Sequence, residues 1–193
     1  MTDRTRQAEP ASTRLFPGWR WAAVALAFPV AGLIGWAIGG PVDAPVAALI
    51  GGLITGAGLG AAQWWAAKDA FGDGPAWIAT SGVAYGAGLV VAAAAVGYNT
   101  DFGSLVAMGA ISGVFLGVGQ GLALAQQGRR RLALVWAAAM PILLALGWAA
   151  STAIGVDVDE QFTVFGAAGA IVFTLLSGFV LSRFSPPMMR AAS

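Results

Sequence analysis

The chain contains no cysteine and no histidine, and only 10% of its 193 residues are charged. Each shortage excludes a class of function. Without cysteine there is no disulfide framework, no thiolate nucleophile and no iron–sulfur cluster. Without histidine, the usual haem ligand, the commonest transition-metal ligand and the commonest general base are also missing. A soluble globular domain carries roughly 25% charged residues. Ten Lys+Arg and nine Asp+Glu cannot cover a chain of this length for water, so its solvent is lipid. What the chain does have agrees with this: 58% hydrophobic residues, 28 glycines and a mean hydropathy of +0.77.

The few charges fall between long apolar runs near 21–40, 46–67, 76–97, 104–125, 132–155 and 162–182. At 1.5 Å per residue, about 20 residues cross a hydrocarbon core ~30 Å thick, so these runs predict six transmembrane helices. The ten basic residues then sort to one side: Arg4, Arg6, Arg14 and Arg20, Lys68, Arg129 to Arg131, Arg183 and Arg190. The opposite loops hold Asp43, Asp101, Asp157, Asp159 and Glu160. By the positive-inside rule both termini are cytoplasmic. Residues 1–19 read as a flexible cytoplasmic segment, 20–183 as the membrane domain and 184–193 as a short tail. The basic n-region and apolar first run imitate a signal peptide, but that run belongs to an internal repeat and is read as a retained span.

The repeat shows at an offset of 57, where Gly52, Gly56, Gly60 and Gln63 lie over Gly109, Gly113, Gly117 and Gln120. A second step of the same length reaches Gly166, Ala170, Thr174 and Ser177, with Gly178 beside them. Pro29 and Gly35-Trp36-Ala37 match Pro141 and Gly147-Trp148-Ala149 at an offset of 112. We read three hairpins of one orientation, 20–68, 77–127 and 134–183. Repeats of one orientation are related by an axis along the membrane normal, which predicts a pseudo-threefold all-α bundle. Glycines four apart lie along one helix face and permit close backbone approach, the association mode available in lipid. Gly52, Gly56, Gly60, Gly109, Gly113, Gly117, Gly121, Gly166 and Gly178 are therefore expected to pack helices.

Other candidates are sparser. Gly56-Ala-Gly58-Leu-Gly60-Ala61 matches a relaxed dinucleotide fingerprint, but it lies mid-span rather than between a strand and a helix, so helix packing explains it. Gln63 and Gln120 either hydrogen-bond between helices or form a polar lining at the inner end of the bundle. Asp43, Asp101 and Asp157 precede the second, fourth and sixth spans, as helix N-caps or as an outer acidic ring. Pro29 and Pro141 are expected to kink the first and fifth spans. Trp19, Trp21, Trp64, Trp65, Trp77 and Trp136 fall near the cytoplasmic boundary and read as an interfacial aromatic belt. No span centre holds Asp, Glu, Lys or Arg, which counts against proton relays, voltage sensors and charged substrates.

The stretch from Gly52 to Gln63-Trp64, with its echoes at Gly109–Gln120 and Gly166–Phe179, resembles a broad group of bacterial multi-span proteins with glycine-striped helices ending in a polar–aromatic pair. The fourth span departs from that pattern with Gln120-Gly121, and the sixth holds Ser177 at the glutamine position. The resemblance implies a compact membrane bundle and no particular activity. The three-hairpin plan is also similar to that of mitochondrial carriers, whose Pro-x-[Asp/Glu]-x-x-[Lys/Arg] signatures are absent, so that likeness is one of architecture. The expectation is a non-enzymatic protein of a bacterial plasma membrane, without cofactor or metal. Its partners are the lipid bilayer and either another membrane protein or a second copy, with no nucleic acid. A small channel or transporter for a neutral solute or inorganic ion is the alternative.

Overall fold

The computed structural model describes residues 18–155 and 162–184, with the backbone alone over 162–167. The predicted N-terminal segment and tail lie almost wholly outside the described residues, and so does Asp157. Among the described residues there are helices and no strands. Helix α1 (Gly18–Ala23) passes through a 3₁₀ turn (Val24–Leu26) into α2 (Ala27–Gly39). The others are α3 (Pro45–Phe71), α4 (Gly74–Ala95), α5 (Phe102–Gln126), α6 (Arg130–Ala153) and α7 (Phe162–Phe184). Five stretches are long and apolar enough to cross a membrane: Gly18–Gly39 and the whole of α3, α4, α5 and α6. In α7 the fully described part, Ala168–Phe184, is apolar but shorter than a span. This is the secondary structure an all-α membrane protein requires, since a helix satisfies its own backbone in lipid.

The two prolines act differently. Pro29 has no N–H to offer the carbonyl of Ala25, and its ring crowds that turn. The helix tightens to 3₁₀ just ahead of it, over Val24–Leu26. Pro141 lies inside α6, which runs unbroken from Arg130 to Ala153. A break that no proline announces occurs at Ala67 in α3, where φ is −144° and ψ is 48°.

Each helix packs on its neighbours in sequence, and α7 returns to α2, the 3₁₀ turn and α1, so the chain closes into a ring. The surface is inverted relative to that of a soluble protein. Large apolar side chains such as Leu26, Ile38, Val83, Leu134 and Phe179 are exposed. The interior holds Thr55, Gln63, Ser81, Ser112, Gln120, Ser151, Thr174 and Ser177. Lipid tails accept the apolar exterior, while interior groups such as Ser81, Ser112 and Gln120 find partners on neighbouring turns and helices.

Glycine sets the closest seams. A Cβ placed on Gly52 would lie 2.7 Å from the Cα of Gly86, and one on Gly56 would lie 2.5 Å from the carbonyl oxygen of Ser81. One on Gly60 would meet the Ser81 side chain at 2.8 Å, so this α3 stripe faces α4. The α5 stripe faces α6 in the same way. Added Cβ atoms at Gly109, Gly113, Gly117 and Gly121 would sit 2.8, 2.5, 2.7 and 3.1 Å from backbone atoms of Leu144, Pro141, Ala137 and Ala133. On α7, Gly178 meets the Trp21 indole, where a Cβ would be 2.5 Å away. The surroundings of Gly166 lie outside the described residues.

Candidate functional site

Toward the basic end of the bundle lies a buried polar network. Gln63 on α3 and Gln120 on α5 are both 0% exposed. The Gln120 Nε2 donates to Gln63 Oε1 at 2.9 Å and to Ser81 Oγ at 2.8 Å. The Trp136 Nε1 donates to Gln120 Oε1 at 2.7 Å, and Ser81 Oγ donates to the carbonyl of Trp77 one turn back at 2.8 Å. Four helices, α3 to α6, therefore meet at one amide. The offset of 57 had paired the two glutamines; Ser81 and Trp136 carry no repeat signal and were not anticipated. Gln63 Nε2 and Trp77 Nε1 are buried without a hydrogen-bond partner.

Beside the network lies an aromatic cluster. Phe71 and Trp77 stack with centroids 4.2 Å apart, and Trp136 meets Phe71 edge-on at 5.6 Å. Trp21 also stacks on Phe71, at 6.1 Å, and donates its Nε1 to the carbonyl of Thr174 at 2.8 Å. This corrects the reading of the tryptophans as a belt. Trp21, Trp77 and Trp136 are buried in the core, whereas Trp19 and Trp65 are exposed. An indole near a helix end can face the interface or the interior. These three face inward, where Trp21 and Trp136 have internal acceptors for their N–H groups.

The loops of this end are tied together. Arg129 Nη2 donates to the carbonyl of Asp69 at 2.6 Å, and Gln127 Nε2 donates to that of Phe71 at 2.8 Å. Arg20 lies 5.5 Å from the ring centroids of both Trp19 and Trp65, and Arg131 lies 5.9 Å from that of Phe184. Gly72 makes the α3–α4 turn with φ of +68°, a conformation L side chains rarely adopt, and its carbonyl accepts from Trp64 Nε1 at 2.8 Å.

The acidic residues divide. Asp101 is the N-cap of α5 and accepts from the backbone N–H of Ser104 at 3.1 Å and from its hydroxyl at 2.5 Å. The Ser104 side chain is the first cause that holds this carboxyl below the usual carboxylate range, and the Ser104 backbone N–H is the second. Asp43 does not cap α3. Its cap is Ala44, with Pro45 at the first helical position and no side-chain capping bond. Asp43 stands one residue too early, so its carboxylate is out of reach of the free N–H groups of the first turn. Asp73, unforeseen as a cap, takes that role for α4, accepting from Ala76 N at 3.5 Å. Among the described residues, no three metal-ligating side chains of the His, Cys, Asp and Glu types cluster.

A cavity of ≈ 40 Å³ lies within the ring, farther from the basic end. Five helical segments wall it: Phe28 from α2, Thr55 from α3, Tyr85 from α4, Trp148 and Ser151 from α6, and Phe173 from α7. Phe28 meets Tyr85 and Phe173 edge-on at 6.0 and 5.7 Å. The Tyr85 hydroxyl is hydrogen-bonded to Trp148. Ser151 Oγ accepts from the backbone N–H of Gly169 at 2.8 Å. Thr55 Oγ1 is buried and has no partner. No sequence signal joined these positions, because they converge only when the ring is closed. No protein-family model, curated protein or solved structure matches the chain.

Proposed function

We propose that the chain is a non-enzymatic integral membrane protein acting as a subunit, scaffold or accessory factor. The observation that carries this reading is the buried network of Gln63, Gln120, Ser81 and Trp136, backed by the stacked Phe71 and Trp77. Polar side chains that hydrogen-bond one another between helices, away from solvent, serve cohesion rather than passage. The absence of cysteine and histidine from the sequence supports a role without acid–base or nucleophilic chemistry.

In this reading six spans form three parallel hairpins about a pseudo-threefold axis. The support is the glycine pattern: stripes on α3 and α5 each face the next helix in sequence, and Gly178 on α7 faces Trp21 in α1. Three like hairpins in a closed ring would give that succession. The basic end faces the cytoplasm of a bacterium. The gathering of Arg20, Arg129 and Arg131 with Asp69, Trp65 and Phe184 at one end supports this orientation under the positive-inside rule.

The test is solute flux into liposomes holding the purified protein, across a panel of inorganic ions and small neutral solutes. The expected result is no flux above that of empty liposomes, for the natural chain and for Gln63→Ala and Gln120→Ala alike. Flux that the two substitutions alter would overturn the scaffold reading. It would favour the second reading, a small channel or transporter for a neutral solute or inorganic ion, for which the axial cavity is the specific observation.

A further inference from the structure

We infer that the axial cavity is a binding site for a small neutral molecule with an apolar body and one hydrogen-bonding group, the chemistry of a short-chain alcohol. The inference goes beyond the scaffold reading and does not depend on whether any solute crosses the bundle. The hydroxyl of Thr55 is the first argument. Buried serines elsewhere in the bundle return their hydroxyl to their own helix: Ser81 to the carbonyl of Trp77, Ser112 to Met108 and Ser177 to Thr174. That back-bond is the default for a hydroxyl inside a membrane helix. Among the described residues two buried threonines, Thr55 and Thr174, make no such bond, and of the two it is Thr55, 3% exposed, that lines the cavity. Its hydroxyl keeps both donor and acceptor capacity. A buried hydroxyl left in that state is costly to the fold, and a ligand carrying one matching group removes the cost.

The walls define the rest of the ligand. Phe28, Tyr85, Trp148 and Phe173 present aromatic surface. No Asp, Glu, Lys or Arg lines the space, so nothing compensates a charged ligand for its lost hydration. Ser151 is already engaged with Gly169, which leaves Thr55 as the anchor. A volume of ≈ 40 Å³ corresponds to about three water-sized groups, which limits the occupant to roughly three or four non-hydrogen atoms. Alcohols of that size, such as 2-propanol, meet all three conditions of size, neutrality and a single hydroxyl. Propane has nearly the same body and no hydroxyl.

The experiment is a fluorine NMR titration of the full chain, labelled with 5-fluorotryptophan and held in lipid nanodiscs. The Trp148 resonance is assigned by its loss in Trp148→Phe. With 2-propanol as probe, that resonance is expected to shift saturably, while that of the exposed Trp19 does not. Thr55→Val keeps the shape and removes the hydroxyl, and should weaken binding about tenfold, the usual weight of one buried hydrogen bond. Thr55→Ser keeps the hydroxyl and should stay within about threefold of the natural chain, a control for Thr55→Val should that variant fold poorly. Ala170→Leu, which fills the space from α7, should abolish the saturable response. A shift that rises linearly without saturation, or that persists unchanged in Ala170→Leu, overturns the site. Equal affinity for propane and 2-propanol, or no change in Thr55→Val, overturns the assignment of Thr55 as its anchor and with it the ligand class.

Discussion

Replacing either of the two buried glutamines by leucine should have unequal consequences, and the inequality follows from where the hydrogen bonds go. Gln120 makes three: to Gln63, to Ser81 and from Trp136. Gln63 makes one, and its Nε2 already lacks a partner. Interhelical hydrogen bonds in membrane proteins average roughly 0.6 kcal/mol, so Gln120→Leu forfeits roughly 2 kcal/mol in direct bonds. It also strands the Trp136 N–H and the whole Gln63 amide, and each stranded buried group adds about 1 kcal/mol or more. The expected cost is about 3–5 kcal/mol. Gln63→Leu loses one bond, but it also removes an unpaired donor, so it should cost under about 1 kcal/mol. The assay is reversible unfolding in bicelles by steric trapping, with both single variants and the double variant. The double variant should be less destabilised than the sum of the singles, because the Gln63 amide stranded by Gln120→Leu is no longer there. Equal costs for the two single variants, or strict additivity, would refute the network as the source of cohesion.

Two further outcomes are expected. A Cβ at Gly113 would lie 2.5 Å from the Cα of Pro141, and backbone cannot rotate away as a side chain can. Gly113→Ala should therefore destabilise by about 1–3 kcal/mol. Gly51 has nothing within 4 Å of such an atom, so Gly51→Ala should be neutral or gain up to about 1 kcal/mol from helix propensity. Thermal denaturation in detergent compares the two, and a reversed order would contradict the packing described for α5 and α6. The Asp101 carboxyl is held below its unfolded value by Ser104. Its contribution is therefore complete above the unfolded carboxylate pKa of about 3.9, and it decays as pH falls through the lower folded value. Asp101→Asn should flatten the acid-side fall in midpoint temperature. An unchanged slope between the natural chain and the variant would remove Asp101 from that account.

Some of this architecture was legible in the sequence and some was not, for physical reasons. The apolar runs 46–67 and 104–125 lie inside α3 and α5 because length and hydropathy decide a membrane helix almost alone. Glycines four apart announced a packing face, but not which helix would occupy it, because that depends on the ring's closure. Gln63 and Gln120 stood out as matched amides in apolar runs; their shared partners Ser81 and Trp136 did not, since a serine or tryptophan on a membrane helix is ordinary by itself. Asp43 misled because an acid just before a helix looks like a cap, and the Ala44-Pro45 pair moved the helix start beyond its reach. The cavity was invisible because Phe28, Thr55, Tyr85, Trp148 and Phe173 are neighbours only in space.

The bond from the Trp21 indole to the carbonyl of Thr174 joins residues 153 positions apart and lies on the seam where α7 returns to the start of the chain. A ribosome delivers its donor 153 residues before its acceptor. Until α7 emerges, neither the Thr174 carbonyl that accepts from Trp21 nor Gly178, whose face receives the indole, yet exists. The ring is therefore an open arc until α7 is made, and α7 acts as the closing stave. Loss of that helix would leave the preceding seams, α3 on α4 and α5 on α6, free to form from local contacts. It would also expose the edge of α2 and the edge of α6 to whatever other helices the membrane contains.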